Sequence, residues 1–183
     1  EQYVRLDRPG FLWAADMKFA PLVHVAGRDK YEEGQGHMLI KALWLVPIAD
    51  AKGPAIDQGS MLRFLAEICW CPSAAVADYI RWEPVDSLSA RAVMSYGDVE
   101  ASGVFTFTPD GDPVSFDALR YYDRKQGATL EKWHIDMDPG SYRAFEGIRI
   151  PTQSAVTWQL EQGDFTWYRL EITEMWFGVD GDR

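Results

Sequence analysis

Only one stretch of this chain has the spacing of a helix, and this feature limits the fold more than any other. Between Asp57 and Pro72, apolar side chains recur at intervals of three and four residues, as on one helical face. They are Met61, Phe64, Leu65, Ile68 and Cys69, with Leu62 and Trp70 widening the stripe. Ser60 can cap the first turn, and Pro72 ends the run. We therefore predict a helix over about Ser60–Trp70, which needs a hydrophobic sheet to pack on because isolated short helices are marginal.

Most of the remaining chain alternates apolar and polar residues with the period of a β-strand. Turns rich in Gly, Asp and Pro separate these segments, and their shortness makes neighbouring strands antiparallel. The predicted strands are Gln2–Asp7, Phe11–Phe19, a segment starting at Val23, Gly36–Val46, Arg81–Val85, Ser89–Tyr96, Val99–Thr108, Pro113–Asp123, Leu130–Asp136, Tyr142–Phe145, Ile148–Leu160 and Phe165–Phe177. The predicted class is mainly β (α+β), with a large curved antiparallel sheet or half-barrel wrapping one main helix.

The predicted strand Gly36–Val46 differs from the others because both of its faces are apolar. Met38, Ile40 and Trp44 lie on one face, and Leu39, Leu43 and Leu45 lie on the other. This pattern predicts burial on both sides, or cover by the helix. The segment that follows, Pro47–Pro54, has turn residues and no period, and we interpret it as a loop leading to the helix.

The length of 183 residues fits a single domain, predicted to span residues 1–183. With 18 basic and 28 acidic side chains, the net charge of -10 argues against nucleic acid as a partner. No apolar run is long enough to cross a membrane. The chain starts at Glu1 rather than at a methionine, so an anchor, a signal or a further strand upstream is an open alternative. Membrane association would depend on such a segment. The sequence does not indicate the cellular compartment.

The residues that often build catalytic or metal sites do not form a recognisable motif in this chain. Cys69 and Cys71 are predicted to be free thiols, the first in the core and the second at a helix end. If a hairpin turns near Glu33-Gly34, His37 lies opposite about Lys30 and far from His24. We expect His134 to face solvent. Arg63 and Glu67 are interpreted as an exposed ion pair on the helix. No metal and no cofactor is predicted.

Several runs resemble a bacterial domain family of unknown function over most of the chain. They are Pro9–Trp13, Gly34–Met38, Leu43–Asp50, Gly59–Glu67 and Arg81–Asp86. Members of that family look like relatives of the lipoprotein-carrier half-barrels of the LolA and LolB type. The resemblance implies a curved antiparallel sheet that wraps a helix and a hydrophobic cavity. It implies no catalytic residues.

The surplus of large apolar side chains, with 8 Trp, 8 Tyr and 9 Phe, is the most suggestive feature for function. These side chains either fill a core or line a cavity for an apolar ligand. The candidate ligand-binding residues are Trp13, Met17, Ile40, Trp44, Phe64, Ile68, Phe105 and Trp133. The favoured function is non-enzymatic binding of a hydrophobic molecule, a lipid or acyl chain, between the concave sheet and the helix. The alternatives are a small hydrolase or isomerase with its site at the cavity mouth, or a protein-interaction module.

Overall fold

A computed structural model of the protein describes residues 1–20, 23–43 and 45–178, and these residues form two large antiparallel sheets, a separate two-stranded sheet and one α-helix. The first sheet has five strands in the order in which they occur along the chain. They are β1 (Gln2–Arg5), β2 (Gly10–Ala20), β3 (Val23–Glu32), β4 (Gln35–Ala42) and β5 (Val46–Ala51). The turn between β3 and β4 is at Glu33-Gly34, and Lys30 pairs with His37, so the register predicted for this hairpin is confirmed.

The helix α1 (Pro54–Glu67) begins six residues earlier than predicted. Gly53 occupies the N-cap position and Pro54 the first helical position, where its fixed φ angle and missing N–H are tolerated. The expected cap at Ser60 is therefore wrong. A short 3₁₀ helix, Pro72–Val76, follows after the helix ends. Among the described residues, no helix is long and apolar enough to cross a membrane.

The second sheet has seven antiparallel strands and is not closed into a barrel. Its strands are β6 (Ile80–Pro84), β7 (Ser89–Tyr96), β8 (Val99–Phe107), β9 (Pro113–Tyr122), β10 (Thr129–Met137), β13 (Gln153–Leu160) and β14 (Gly163–Glu171). Between β10 and β13, the chain forms a short 3₁₀ helix, Pro139–Ser141, and a separate hairpin of β11 (Tyr142–Phe145) and β12 (Ile148–Pro151). The predicted class, mainly β with one main helix, is confirmed.

Helix α1 packs on both sheets: on β3 and β4 of the first, and on β7, β8 and β9 of the second. Its buried side chains include Met61, Leu62 and Leu65, none of which has exposed surface. They join one hydrophobic core that runs from Phe11 in the first sheet to Trp158 in the second. The helix therefore acts as the apolar layer between the two sheets.

Four predictions about strands are wrong. The last strand, predicted as Phe165–Phe177, ends at Glu171. The segment Pro47–Pro54 is not all loop, because β5 pairs with β4 as the edge of the first sheet. The predicted strand Gly36–Val46 is interrupted by a turn in which Leu43 has a φ of 48°, and neither face is fully buried there. Met38, Leu39 and Ile40 are half-buried, and Leu45 is exposed. Ile148–Leu160 is two strands, since Thr152 lies between β12 and β13.

Candidate functional site

The side of helix α1 that faces the first sheet is held by a polar network centred on Arg63. Its guanidinium donates to Glu67 Oε1 at 2.8 Å, to Asp29 Oδ2 at 2.7 Å and to Gln2 Oε1 at 2.7 Å. Gln2 in turn donates to Glu67 Oε2 at 2.7 Å. Arg63 also stacks 4.6 Å from the ring centre of Phe11. The interpretation of Arg63 and Glu67 as an exposed pair is wrong, because their side chains are only 18% and 14% exposed.

The same side of the helix lies very close to the backbone of β4. A Cβ added to Gly36 would clash with Ser60 Oγ and would lie 2.7 Å from the Ile56 carbonyl oxygen. The backbone N–H of Gly36 donates to Asp57 Oδ1 at 2.7 Å. Only a glycine permits this approach, so the helix is fixed to the first sheet by both contact and hydrogen bonding.

On the other side of the helix, the second sheet presents a continuous run of aromatic rings. Ring centres lie 4.7 Å apart for Phe105 and Phe116, 6.2 Å for Phe116 and Trp133, and 6.5 Å for Trp133 and Trp158. Tyr122 packs edge-on against Trp158 at 4.9 Å. The run crosses β8, β9, β10 and β13, and so extends past the strands on which the helix mainly packs.

A positive charge lies between this aromatic run and the helix. Arg120 of β9 alternates in phase with Phe116 and Ala118, so it points to the helix-facing side of the sheet. Its guanidinium carbon lies 4.6 Å from the ring centre of Trp133, and a Cβ added to Gly59 on the helix would lie 3.2 Å from Arg120 Nε. The guanidinium thus lies between helix and sheet, and the side chain is half-buried.

Arg120 has no hydrogen-bond or ion-pair partner among the described residues. Burial, followed by the nearby charge of Arg63, lowers its pKa to about 10, while Asp29 and Glu67 act in the opposite direction. The group stays protonated at neutral pH. Trp133 Nε1 is buried and also lacks an acceptor. The site therefore holds a half-buried cation without a partner among the described residues and a buried, unpaired indole N–H, beside a run of buried aromatic rings.

Most of the predicted ligand-binding residues belong to the core. Phe64, Ile68, Phe105 and Trp133 are buried, and half-buried Trp13 packs against them. Met17 and Ile40 are half-buried on the first sheet, outside this cluster. Trp44 lies outside the described residues. Their role in ligand binding stays a prediction. The sequence analysis missed Arg120. Its spacing of two and four residues from Ala118 and Phe116 places it on the same face of the strand, and this pattern is visible in the sequence.

The expected hydrophobic cavity between the helix and the second sheet also stays a prediction. Two open grooves mark the surface, and no residue of helix α1 lines either of them. One includes His134, Asp136 and Arg169, and the other includes Trp13, Arg28 and Tyr168. Both have mixed polar and apolar walls.

The first of these grooves is on the sheet face opposite the helix. His134 Nδ1 lies 2.7 Å from Asp117 Oδ1, and its Nε2 lies 3.1 Å from Asp136 Oδ1. Burial acts to lower the pKa of His134, but its hydrogen bonds to the two carboxylates outweigh burial and raise the pKa. In the part of the chain that the structure describes, no group of three or more His, Cys, Asp or Glu side chains is placed to hold a metal ion.

The two thiols are free, with Cys69 packed against the hydrophobic core and Cys71 at the N-cap of the 3₁₀ helix Pro72–Val76. Cys71 is buried and Cys69 is only half-buried. Burial raises the pKa of Cys71 to about 11 and that of Cys69 well above its usual range. Both thiols are protonated at neutral pH and are therefore poor nucleophiles.

A family described as a family of unknown function, DUF6920, matches residues 1–177. The chain belongs to this family. No curated protein and no solved structure matches it. This match confirms the expected membership in a family of unknown function. The relationship to lipoprotein carriers remains a proposal.

Proposed function

We propose that this domain binds a hydrophobic molecule, a lipid or acyl chain, between helix α1 and the second sheet, without catalysing a reaction on it. The domain would then have a function similar to that of the LolA and LolB half-barrels. The observation that carries the proposal is the aromatic run from Phe105 to Trp158, which continues beyond the helix and has an unpaired cation at its centre. Such a surface suits a ligand with a long apolar part.

The attachment of the helix supports an entry route. Hydrogen bonds tie α1 to the first sheet at Asp57 and Arg63. Toward the second sheet, the described residues provide one side-chain hydrogen bond, from Gln58 Nε2 to the Leu119 carbonyl at 3.3 Å. Apolar contacts do not depend on direction. If the second sheet moves away from the helix, an acyl chain can therefore replace the side-chain contacts that are lost along the aromatic run.

The ligand's apolar contacts are the main source of affinity in this proposal. Burial of apolar surface contributes about 25 cal/mol per Å², from which the cost of ordering the chain is subtracted. A ligand that covers Trp133 and Trp158 also replaces contacts that the protein already makes. We therefore expect moderate rather than very tight affinity.

The test compares two neighbouring positions on β9. Ala118 is on the helix-facing side, opposite Trp133, whereas Leu119 is on the other side and 55% exposed. Binding of a long-chain alcohol would be measured by displacement of a polarity-sensitive dye from the wild type, Ala118→Phe and Leu119→Phe. Saturable binding that only Ala118→Phe weakens would support the proposal. Ala118→Leu gives a smaller change if Ala118→Phe does not fold.

The proposal is wrong if the wild type binds neither long-chain alcohols nor fatty acids and carries no lipid by native mass spectrometry. It is also wrong if both variants reduce binding equally, because the ligand would then not lie between helix and sheet. Melting temperatures of all three proteins serve as the control for folding.

A second candidate, a protein-interaction module, is favoured by the exposed tip of the β4–β5 hairpin. Leu43, Leu45, Val46 and Ile48 are 51%, 82%, 59% and 59% exposed, respectively. Clustered exposed apolar groups commonly mark interaction sites. Self-association through this tip would be detected by sedimentation, and Leu45→Ser with Ile48→Ser should abolish it. A wild type that stays monomeric at high concentration would remove self-association as the role of this tip.

A further inference from the structure

We infer that Arg120 is the subsite for the carboxylate of a long-chain fatty acid, whose chain lies along Trp133 and Trp158. The inference rests on the proposed function and adds the class of ligand. It starts from the guanidinium that lies between Gly59 and Trp133 without a hydrogen-bond partner among the described residues. A guanidinium has five N–H donors, and the half-buried side chain of Arg120 leaves them free of acceptors among the described residues and within reach of a ligand.

Arg120 differs from other arginines of the chain in its polar contacts. Arg63, Arg124 and Arg149 each have a carboxylate partner, even though Arg149 is on the surface. Arg120 is more enclosed than Arg149 and has none. The exposed Arg169 also lacks a partner among the described residues, and Arg28 contacts His37 rather than a carboxylate. Arg120 is therefore distinguished as a half-buried arginine with no polar partner in the part of the chain that the structure describes.

The carboxylates whose charges act on Arg120 already bind other groups, although Asp29 Oδ1 is buried without a hydrogen-bond partner among the described residues. Asp29 Oδ2 and both oxygens of Glu67 bind Arg63 and Gln2. Glu131 lies opposite Arg120 in the β9–β10 ladder, but it pairs with Arg124 at 2.6 Å and accepts from Thr129. A carboxylate from outside the chain can meet Arg120 without displacing any of these bonds.

The charged side chains around Arg120 suit a ligand with one negative charge better than a ligand with two. Arg63 and Arg120 carry two positive charges, and Asp29 and Glu67 carry two negative charges, so the group is neutral. A fatty-acid carboxylate adds one negative charge and suits the planar guanidinium in a two-bond arrangement. A phosphate dianion would add two charges next to Asp29 and Glu67. The buried Trp133 Nε1 supplies a second donor in the same region.

The experiment separates the head group from the chain. A long-chain fatty acid and the alcohol of the same length would be titrated at pH 8 into the wild type, Arg120→Met and Arg120→Lys. Arg91→Met is the matched control, because Arg91 is exposed on the second sheet. Acetate tests whether the carboxylate alone binds.

The wild type should bind the fatty acid about 10- to 100-fold more tightly than the alcohol, as expected for a charge-assisted pair. Arg120→Met should remove this preference, Arg120→Lys should keep part of it, and Arg91→Met should keep all of it. Acetate should bind too weakly to compete.

Equal affinity of the wild type for acid and alcohol would overturn the inference while leaving the proposed function in place. A preference that survives Arg120→Met would overturn it in the same way. Absence of binding for both ligands would remove the proposed function and this inference together. Acetate that competes as well as the fatty acid would make Arg120 a simple anion site and would overturn the assignment to fatty acids.

Discussion

The two sides of helix α1 are held by different kinds of interaction. Toward the first sheet, Arg63 joins Asp29 and Gln2, and Asp57 accepts from the backbone of Gly36. Toward the second sheet, the contacts are mainly apolar, and Arg120 has no hydrogen-bond partner among the residues described. One side therefore has directional bonds between specific atoms, and the other has close packing with a half-buried charge that has no protein partner among the described residues.

This difference indicates where the molecule can open. A helix held by hydrogen bonds and ion pairs to one sheet moves with that sheet, since breaking the bonds would leave charged groups without partners. Apolar surfaces can separate when another apolar surface replaces them. Opening between the helix and the second sheet is therefore less costly than opening between the helix and the first sheet, and the predictions below test this comparison.

The largest effect should follow the substitution Arg63→Met. It leaves the carboxylates of Asp29 and Glu67 without their cation, and both side chains are less than one-fifth exposed. We expect a loss of about 2–4 kcal/mol in the free energy of unfolding, measured by urea denaturation. The exposed Arg91→Met should change it by less than about 0.5 kcal/mol. A loss below about 1 kcal/mol for Arg63→Met would contradict the role given to the network.

Two glycines give a matched test of packing on the two sides of the helix. Gly36→Ala places a methyl group against Ser60 and 2.7 Å from the Ile56 carbonyl, where the helix backbone must shift. We expect it to destabilise the protein by about 1–3 kcal/mol. Thermal unfolding followed by circular dichroism would measure the change.

Gly59→Ala should behave differently, because its methyl group would meet Arg120 Nε at 3.2 Å. Arg120 has no hydrogen bond to lose and can move by a few tenths of an ångström. Alanine also raises helix propensity by about 1 kcal/mol, so we expect a neutral or slightly stabilising change. If Gly59→Ala destabilises as much as Gly36→Ala, the two sides are equally rigid and the comparison fails.

Arg120→Met should have a small effect on stability, in contrast to Arg63→Met. The substitution removes a half-buried charge that has no partner among the described residues and keeps an apolar chain of similar length. Replacing unfavourably buried charges by apolar groups is often neutral or stabilising, so we expect a change within about 1 kcal/mol, in the stabilising direction. Chemical denaturation of the ligand-free protein checks this value. A loss above about 2 kcal/mol would show that Arg120 has a structural partner after all.

Local patterns in the sequence predicted much of the fold and little of the site. The strands Ser89–Tyr96 and Tyr142–Phe145 have the predicted bounds, because alternation and turn residues act over short distances. β5 was missed because it is an edge strand, and turn-type residues such as Pro47, Asp50 and Gly53 lie in it or just after it. An edge strand needs no buried face to form hydrogen bonds with its neighbour.

The candidate site depends on contacts between distant parts of the chain. Arg63 meets Asp29 and Gln2, which are 34 and 61 residues away, so its burial is not visible in the helix sequence. The helix spacing alone favours an exposed Arg63–Glu67 pair. Arg120 is more accessible to sequence reasoning, because an arginine in phase with the buried Phe116 signals a charge on the apolar face.

The smallest predicted effect is on the other face of the second sheet, at His134, where no helix packs. The pKa of His134 is raised in the folded protein through its hydrogen bonds to Asp117 and Asp136. Its stabilising contribution is therefore fully present below the pKa of an unfolded histidine, about 6.5, and is lost as the pH rises through the higher folded-state pKa.

The difference in unfolding free energy between the wild type and His134→Asn should thus be larger at pH 5.5 than at pH 9, by less than about 1 kcal/mol. Asp117→Asn removes one of the two carboxylates and should reduce this pH dependence. Fatty-acid affinity, in contrast, should be the same in His134→Asn and the wild type at each pH, because His134 and Arg120 lie on opposite faces of the sheet. A difference that grows with rising pH would show that His134 is stabilised in its neutral form, and an altered affinity would mean that ligand binding involves both faces.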